Sequence, residues 1–331
     1  MRSPTVSIII VNWNCETFLE DCFGALKDQT CKDFEIVFID NASTDNSLRF
    51  AKTLAAQLSL NATFVELGEN RGFAAGNNEG LKYCGGSYIA LLNADTIAGK
   101  DWLKTLINEI DAHPDVGICA SKLIVQGENV IDSAGDGYST FGHAFKRGEG
   151  NATEEFSKKE YVFGACAGAA LYRRAMVEEI GLFDEDFFLI FEDTDLNFRA
   201  QLNGWKCLYV PAAVYHKVGA SIKKIGSLNA YYCVRNDKLV KIKNLSLSVA
   251  ARRMPGLILG EIIWLIYFTI QGKLKHYVRA HIDVVKMVPA LLKKRREIMK
   301  LKKVSDSYIY SLLTSGFRLY GISRIKRNLE L

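Results

Sequence analysis

Asp40, Asp95 and Asp193, with Glu192 beside the last, are the residues of this 331-residue chain whose types and settings could do chemistry. Each stands where an apolar run turns abruptly polar. Residues 6–11 lead into Asn12-Trp13-Asn14, residues 35–39 into Asp40-Asn41-Ala42-Ser43, Tyr88–Leu92 into Asn93-Ala94-Asp95, and residues 186–191 into Glu192-Asp193. If the four runs are neighbouring strands of an open α/β sheet, whose ligands bind beyond the carboxyl ends of the strands, the acids gather along one rim. Carboxylates gathered that closely repel one another unless a cation, or a polyphosphate with its metal, lies between them. The chemistry expected is that of an enzyme acting on a nucleotide diphosphate with Mg²⁺ or Mn²⁺ at Asp95, where hard oxygen ligands suit either ion.

Taken one at a time, the segments also admit structural roles. An Asx residue at a strand end forms turns, as Asn93-Ala94-Asp95 could. The hydroxyls and carboxylates of residues 40–45 could read a ribose or cap a helix. Glu192 and Asp193 open a helical pattern, where acids complement the helix dipole. The same dipole would keep a carboxylate ionised, ready to take a proton from a hydroxyl. His216 follows the last strand signal and, beside a metal, could supply an imidazole ligand. The turn Asn70-Arg71-Gly72-Phe73-Ala74-Ala75-Gly76-Asn77 lets backbone approach a ligand closely. It lacks the phosphate-loop Gly-Lys-Ser/Thr and the dinucleotide GxGxxG spacing, which counts against a kinase and a dehydrogenase.

The elements that must position these residues alternate over the first 120 positions. Strand signals at 5–11, 35–39, 63–67 and Tyr88–Leu92 are separated by helical patterns at 16–27, from Asp45 or Ser47 to 58, after Gly72 to 83, and at Trp102–Ala112 before Pro114. Repeated βα units predict a mostly parallel sheet with helices on both faces. Residues 127–153, rich in glycine and polar residues, read as a loop shaping substrate access. A helix over 193–203 ending at Gly204, and a last strand at 205–210, close this part.

Hydrophobic content of 49% and charged content of 24% fit a full core and two domains. The net charge of +5 conceals an asymmetry: residues 1–200 carry 17 Lys+Arg against 31 Asp+Glu, whereas residues 201–331 carry 25 against 6. Residues 255–270 are apolar except for Glu261 and Thr269, short of the roughly 20 that a spanning helix needs. Leu274, Tyr277, Val278, His281, Ile282, Val285 and Val288 then recur at helical spacing opposite Lys275, Arg279 and Lys286, before a run of lysines and arginines. This succession predicts a region lying on an anionic membrane surface. Nucleic acid is not expected, because the basic residues accompany aliphatic stretches and no binding motif. The eight cysteines show no zinc spacing and read as reduced core thiols of a cytosolic protein, and no signal peptide is visible.

Six ordered segments resemble the inverting nucleotide-sugar transferases of glycosyltransferase family 2, which have the GT-A fold, and the rhamnosyltransferase-like branch most closely. They are residues 11–14, 39–45, 70–77, 92–96, 191–196 and 216–221, and the likeness spans about 5–240. It implies a GT-A catalytic domain over 1–240 and a basic, partly amphipathic helical region over 241–331. By the resemblance, Asn12, Asn14, Asp40, Asn41, Asn70, Arg71, Gly72, Phe73 and Asn93 hold the donor nucleotide. Asp95 is the metal residue of the family's Asp-X-Asp motif, whose first position here is Asn93. His216 is a further metal ligand, and Asp193, or its neighbour Glu192, is the catalytic base. The implied activity moves a sugar from dTDP-rhamnose or a UDP-sugar to a saccharide acceptor, one carried on a polyprenyl diphosphate, for cell-surface polysaccharide at the inner face of the cytoplasmic membrane. A catalytically silent sugar-nucleotide-binding scaffold and a nucleotidyltransferase are the alternatives.

Overall fold

The computed structural model describes residues 3–218, 226 and 228–315. Residues 219–221 of the sixth motif and the chain from 316 onward lie outside the described residues.

The first half forms βα units. Strands β1 (Val6–Asn12), β2 (Phe34–Asp40), β3 (Ala62–Glu66) and β4 (Tyr88–Leu92) alternate with helices α1 (Leu19–Lys27), α2 (Ser47–Gln57) and α3 (Gly72–Leu81). Then come β5 (Thr96–Ala98), α4 (Trp102–Ala112) and the long β6 (Val116–Val125). Ile8, Ile9 and Ile10 are all buried, as expected of a strand covered on both faces, where a continuous apolar run replaces alternation. β7 (Ile131–Ala134), β8 (Asp136–Ser139), β9 (Ala144–Lys146) and β10 (Glu160–Val162) follow, with β11 (Ala169–Arg173), α5 (Arg174–Ile180), α6 (Glu192–Asn203) and β12 (Lys206–His216). The chain continues through α7 (Leu228–Asn244), α8 (Leu247–Ile270), α9 (Leu274–Lys300), α10 (Asp306–Leu312) and the short β13 (Leu313–Thr314).

The main sheet runs β10-β12-β6-β11-β4-β1-β2-β3. β3, β2, β1 and β4 are mutually parallel, and β11 enters antiparallel between β4 and β6. Asn12 at the end of β1 sits beside Asp40 at the end of β2, so these two polar termini share one edge. Asn93-Ala94-Asp95 follows β4 on the same side.

Two expectations are revised. Residues 186–191 are not a strand: one 3-10 turn (Glu185–Phe187) precedes Phe188, Ile190 and Phe191, all with positive φ. The run is apolar because its rings enter the C-terminal core, where Phe188 stacks on Tyr232 with centroids 5.3 Å apart. Residues 127–153 contain strands: β8 and β9 form a small sheet with β13, β7 pairs with β6, and most of their side chains are buried. The C-terminal helices pack on the preceding part of the chain. Phe187, Phe191, Phe198 and Leu202 share one core with Val234, Leu239, Trp264, Phe268 and Tyr277, and position 240 falls inside α7.

In α8 and α9 the buried faces are narrow. α8 buries Val249, Gly260, Trp264 and Phe268, and α9 buries Tyr277, Ala280, Val284 and Leu291. Gly256 and Gly260 let α8 lie flush on the β8–β9 turn, since a Cβ at either would meet the carbonyl oxygen of Thr140 at 2.9 Å or of Phe141 at 2.6 Å. Most of the stripe read from sequence on α9 faces outward: Leu274, Val278, Ile282 and Val285 are exposed, and only Tyr277 of that set turns fully in.

Candidate active site

A cleft of about 410 Å³ opens at the carboxyl edge of the sheet. Its walls hold Asn41, Asn70, Gly72, Phe73, Asn93, Asp95, Glu192, Asp193 and His216. Asp95 and Asp193, far apart in sequence, therefore meet at one cavity. Asn12, Asn14, Asp40 and Arg71 do not line it. Asn12 is fully buried and donates to Asp40 (3.1 Å) and Ser47 (2.7 Å), and the second oxygen of Asp40 accepts from the Ser43 amide. Asn14 caps the next turn through Thr44 N–H (2.7 Å), while the Arg71 guanidinium reaches Glu79 and Glu185. These residues brace the turns after β1 and β2 from behind.

The glycine turn is fixed by an asparagine pair. Asn41 accepts from the Arg71 amide (2.9 Å) and donates to Asn70 (3.0 Å) and to the Gly72 carbonyl (3.1 Å). Gly72 has φ +83°, and a Cβ there would meet the Phe188 carbonyl oxygen at 2.5 Å. Only glycine satisfies both constraints. The Ala74 amide in turn donates to the Phe188 carbonyl (3.1 Å), which joins this turn to the loop that carries Glu192 and Asp193.

That loop is held in an uncommon backbone. Three non-glycine residues of positive φ precede α6, each costing about 1–3 kcal/mol. α7 supplies the compensation: the fully buried Asn236 side-chain amide donates to the carbonyls of Phe187, Leu189 and Ile190 at 2.7–2.9 Å, and Arg235 donates to those of Asp186 and Phe187. Below it, Asp195 of α6 takes Lys243 (2.7 Å), Arg199 (2.8 Å) and Asn244 (2.8 Å).

At the metal-candidate end, His216 Nε2 lies 3.6 Å from Asp95 Oδ1, and its Nδ1 lies 3.0 Å from Asp132 Oδ2. Burial pushes the Asp132 carboxyl up, yet the Lys146 ammonium at 2.8 Å and the His216 ring outweigh it and hold Asp132 well below the usual carboxylate range. An ionised carboxylate only accepts, so Nδ1 carries a proton toward Asp132, and Nε2 faces Asp95. This carboxylate–histidine arrangement orients an imidazole for a metal. The oxygen and nitrogen donors of Asp95 and His216 thus fit Mn²⁺ or Mg²⁺.

At the other end, Asp193 accepts from the amides of Ala167 (3.3 Å) and Thr194 (2.7 Å). Burial raises its pKa, and those two amides pull against the rise. Glu192 goes well above its ordinary value through burial and the neighbouring Asp193 charge, and its Oε2 has no hydrogen-bond partner among the described residues. The geometry leaves Asp193 the ionised member and Glu192 the neutral one. Sequence reasoning missed Trp13, Asp136, Lys146, Cys166 and Tyr267 on the walls. Asp136 and Lys146 sit on strands within the stretch read as a loop, and Tyr267 belongs to a helix read only for its apolarity.

Comparison with known proteins bears on both fold and family. A model described as glycosyl transferase family 2 matches residues 7–181. A PGL/p-HBAD biosynthesis glycosyltransferase of Mycobacterium bovis is 26% identical over 69% of this chain and 80% of its own. The chain is 25% identical to Bacillus subtilis EpsH, assigned as a glycosyltransferase, over 65% of its own length and 61% of that protein, and it spans 45% of a second B. subtilis relative, EpsE. Among solved structures, S. aureus TarS 1–349 in complex with UDP aligns with TM-score 0.56 at 21% identity, over 90% of this chain and 88% of that one, whereas the alignment covers 55% of a longer TarS chain. The Pyrobaculum calidifontis mannosyltransferase PcManGT, in complex with GDP-Man and Mn²⁺, aligns with TM-score 0.56 at 17% identity, over 94% and 84%. The fold is GT-A.

Proposed function

The chain belongs to glycosyltransferase family 2, and we propose that it is an inverting, metal-dependent enzyme moving a sugar from a nucleotide diphosphate to a lipid-linked saccharide. The observation that carries this reading is the single cleft shared by Asp95 with His216, the Gly72 turn and Asp193. UDP, UDP-GlcNAc and GDP-Man occupy the solved neighbours, which supports a nucleotide-sugar donor here. The rhamnosyltransferase-like motif set adds dTDP-rhamnose to the donors worth testing.

In this mechanism the Asn41–Asn70–Gly72 turn receives the nucleotide. Asp95 and His216 would hold Mg²⁺ or Mn²⁺, which would offset the charge growing on the leaving diphosphate. The acceptor hydroxyl attacks the anomeric carbon from the face opposite the diphosphate while Asp193 takes its proton. The carbon–oxygen bond to the acceptor forms as the bond to the diphosphate breaks, and configuration inverts. Asp193 is suited to the role because two amides and the α6 N-terminus keep it ionised in a buried setting.

The acceptor's carrier is inferred from the C-terminal helices. α8 is long and apolar enough to cross a membrane by length and composition. Its Glu261, however, is ion-paired with Lys238 (2.6 Å) and Lys241 (2.7 Å) of α7, which favours a helix lying on the bilayer over one crossing it. Ile258, Ile262 and Ile266 of α8 are exposed, and so are Val278, Ile282 and Val285 of α9, the helix on which Arg279 and Lys286 are also exposed. Tyr267 of the same α8 lines the cleft. The reading therefore has the protein peripheral on an anionic inner leaflet, with the reaction at the bilayer surface.

The test is a panel of dTDP-rhamnose, UDP-glucose, UDP-N-acetylglucosamine and GDP-mannose with Mn²⁺ or Mg²⁺, scored for released nucleotide. Release of nucleoside diphosphate, abolished by chelator, supports the reading. Binding without release would mark a silent scaffold, and pyrophosphate as product a nucleotidyltransferase.

A further inference from the structure

Asp136 is a buried acid on the cleft wall that the mechanism above does not use. It lies on β8, and its backbone pairs with Gly164 in both directions (2.8 and 3.2 Å). A carboxylate oxygen of Asp136, a carboxylate oxygen of Asp193 and the Cys166 sulfur all lie within 4.8 Å of one another. Asp136 is buried and Asp193 partly exposed to the cleft, and two carboxyls this close seldom both ionise at neutral pH, because their repulsion is only partly screened there.

The question is which of the two keeps the proton, and their partners answer it. Asp193 accepts two backbone amides at a helix N-terminus. Among the described residues the Asp136 carboxyl has one hydrogen-bond partner, the Ser133 hydroxyl at 3.2 Å, which it shares with the Gly135 carbonyl. Lys146, opposite Asp136 on β9, hydrogen-bonds Asp132 at 2.8 and 2.9 Å, and its charge draws Asp136 down less than burial and the Asp193 charge push it up. The remaining groups around it are Asp132 of β7, Cys166, Tyr172 of β11 and Cys207 of β12, and burial pushes the two thiols and the tyrosine up, so they stay neutral. Burial, then the Asp193 charge, carries Asp136 well above the ordinary carboxylate value, while burial and its two amides leave Asp193 with the lesser rise.

We propose that Asp136 is the proton-bearing partner of Asp193, a neutral carboxylic acid at pH 7 that faces the cleft as a hydrogen-bond donor to a hydroxyl of the acceptor sugar. It rests on Asp193 as the base. Asp136 moves no proton in the reaction: it keeps the single negative charge on Asp193 and orients the acceptor through a neighbouring hydroxyl. A neutral donor can be replaced by an amide, whereas a carboxylate acceptor cannot.

Infrared spectroscopy of the full-length protein tests the protonation state without any turnover. In a Glu192→Gln background, a carboxylic-acid C=O band persists at pH 7, is lost in Asp136→Asn, and titrates at lower pH when Asp193→Asn removes the neighbouring charge. No such band, or a band that Asp136→Asn leaves unchanged, overturns the proposal. Nucleotide release from the donor panel provides the second arm. The acid limb stays unmoved in Asp136→Asn, and Asp136→Ala loses at least ten times more turnover than Asp136→Asn does. An acid limb displaced toward ordinary carboxylate pH in Asp136→Asn would show that Asp136 carries the charge, and would overturn the assignment. Failure of every donor in the panel would count against the transferase reading, while the infrared result would stand by itself.

Discussion

Asp132 is not itself on the cleft wall, yet it sets the state of a residue that is. Its ionised carboxylate fixes the His216 proton on Nδ1, and losing such a support typically costs about 10–100-fold in metal affinity. Asp132→Ala should therefore raise the Mn²⁺ concentration for half-maximal nucleotide release by that factor, with the maximum largely retained. An unchanged metal requirement would remove Asp132 and His216 from the metal site. Asp193 makes a prediction in pH. It must be ionised to accept a proton, and its folded pKa lies above the ordinary Asp value of about 3.9. Activity should then fall as pH drops through a value above that, and a limb at or below it would mean the base is a solvated carboxylate. Asp95, Asp193 and His216 were legible from sequence because each follows an abrupt end of an apolar run. Asp132 and Asp136 were not, since strands of four residues in a glycine-rich stretch lack the alternation that marks a half-buried strand.

The elements that present the base are held by electrostatics across α6 and α7. Asp195 is fully buried, and removing it strips acceptors from Lys243, Arg199 and Asn244 at once. Breaking a buried pair of this kind costs about 3–5 kcal/mol, so Asp195→Ala should lower the denaturant midpoint accordingly. A loss below about 1 kcal/mol would mean the network is not coupled to the global fold. The βα half was readable nearly to the residue, Tyr88–Leu92 and Trp102–Ala112 included. The 186–191 run was not. Its apolar composition suggests a strand, but its backbone is dictated by Asn236 and Arg235, some 45 positions later, and by aromatic contacts that no local pattern encodes.

For the whole molecule, the charge asymmetry of the chain becomes a geometric one: a carboxylate-lined cleft joined to basic helices with an exposed apolar ridge. That ridge is the basis for a binding prediction. The full-length protein should co-sediment with vesicles containing phosphatidylglycerol and much less with neutral phosphatidylcholine vesicles. Replacing Ile258, Ile262 and Ile266 by Ser should reduce association at least tenfold, each exposed aliphatic side chain being worth about 1.5–3 kcal/mol when buried in full. Equal binding to both vesicle types would contradict the interfacial role of the basic face, and an unaffected triple variant that of the ridge. The amphipathic period of α9 was visible in the sequence, but its facing was not, because the true core stripe through Ala280, Val284 and Leu291 is offset from the more conspicuous Val278–Ile282–Val285 row.

The most direct measurement compares Asp193→Asn with the unaltered protein for turnover and for donor binding by calorimetry with Mn²⁺ present. A positioned base contributes about 10²–10⁴-fold, so turnover should fall by that factor while the donor Kd stays within about threefold. Turnover within about threefold of the original, with donor still bound, would contradict Asp193 as the proton acceptor and with it the mechanism of the cleft.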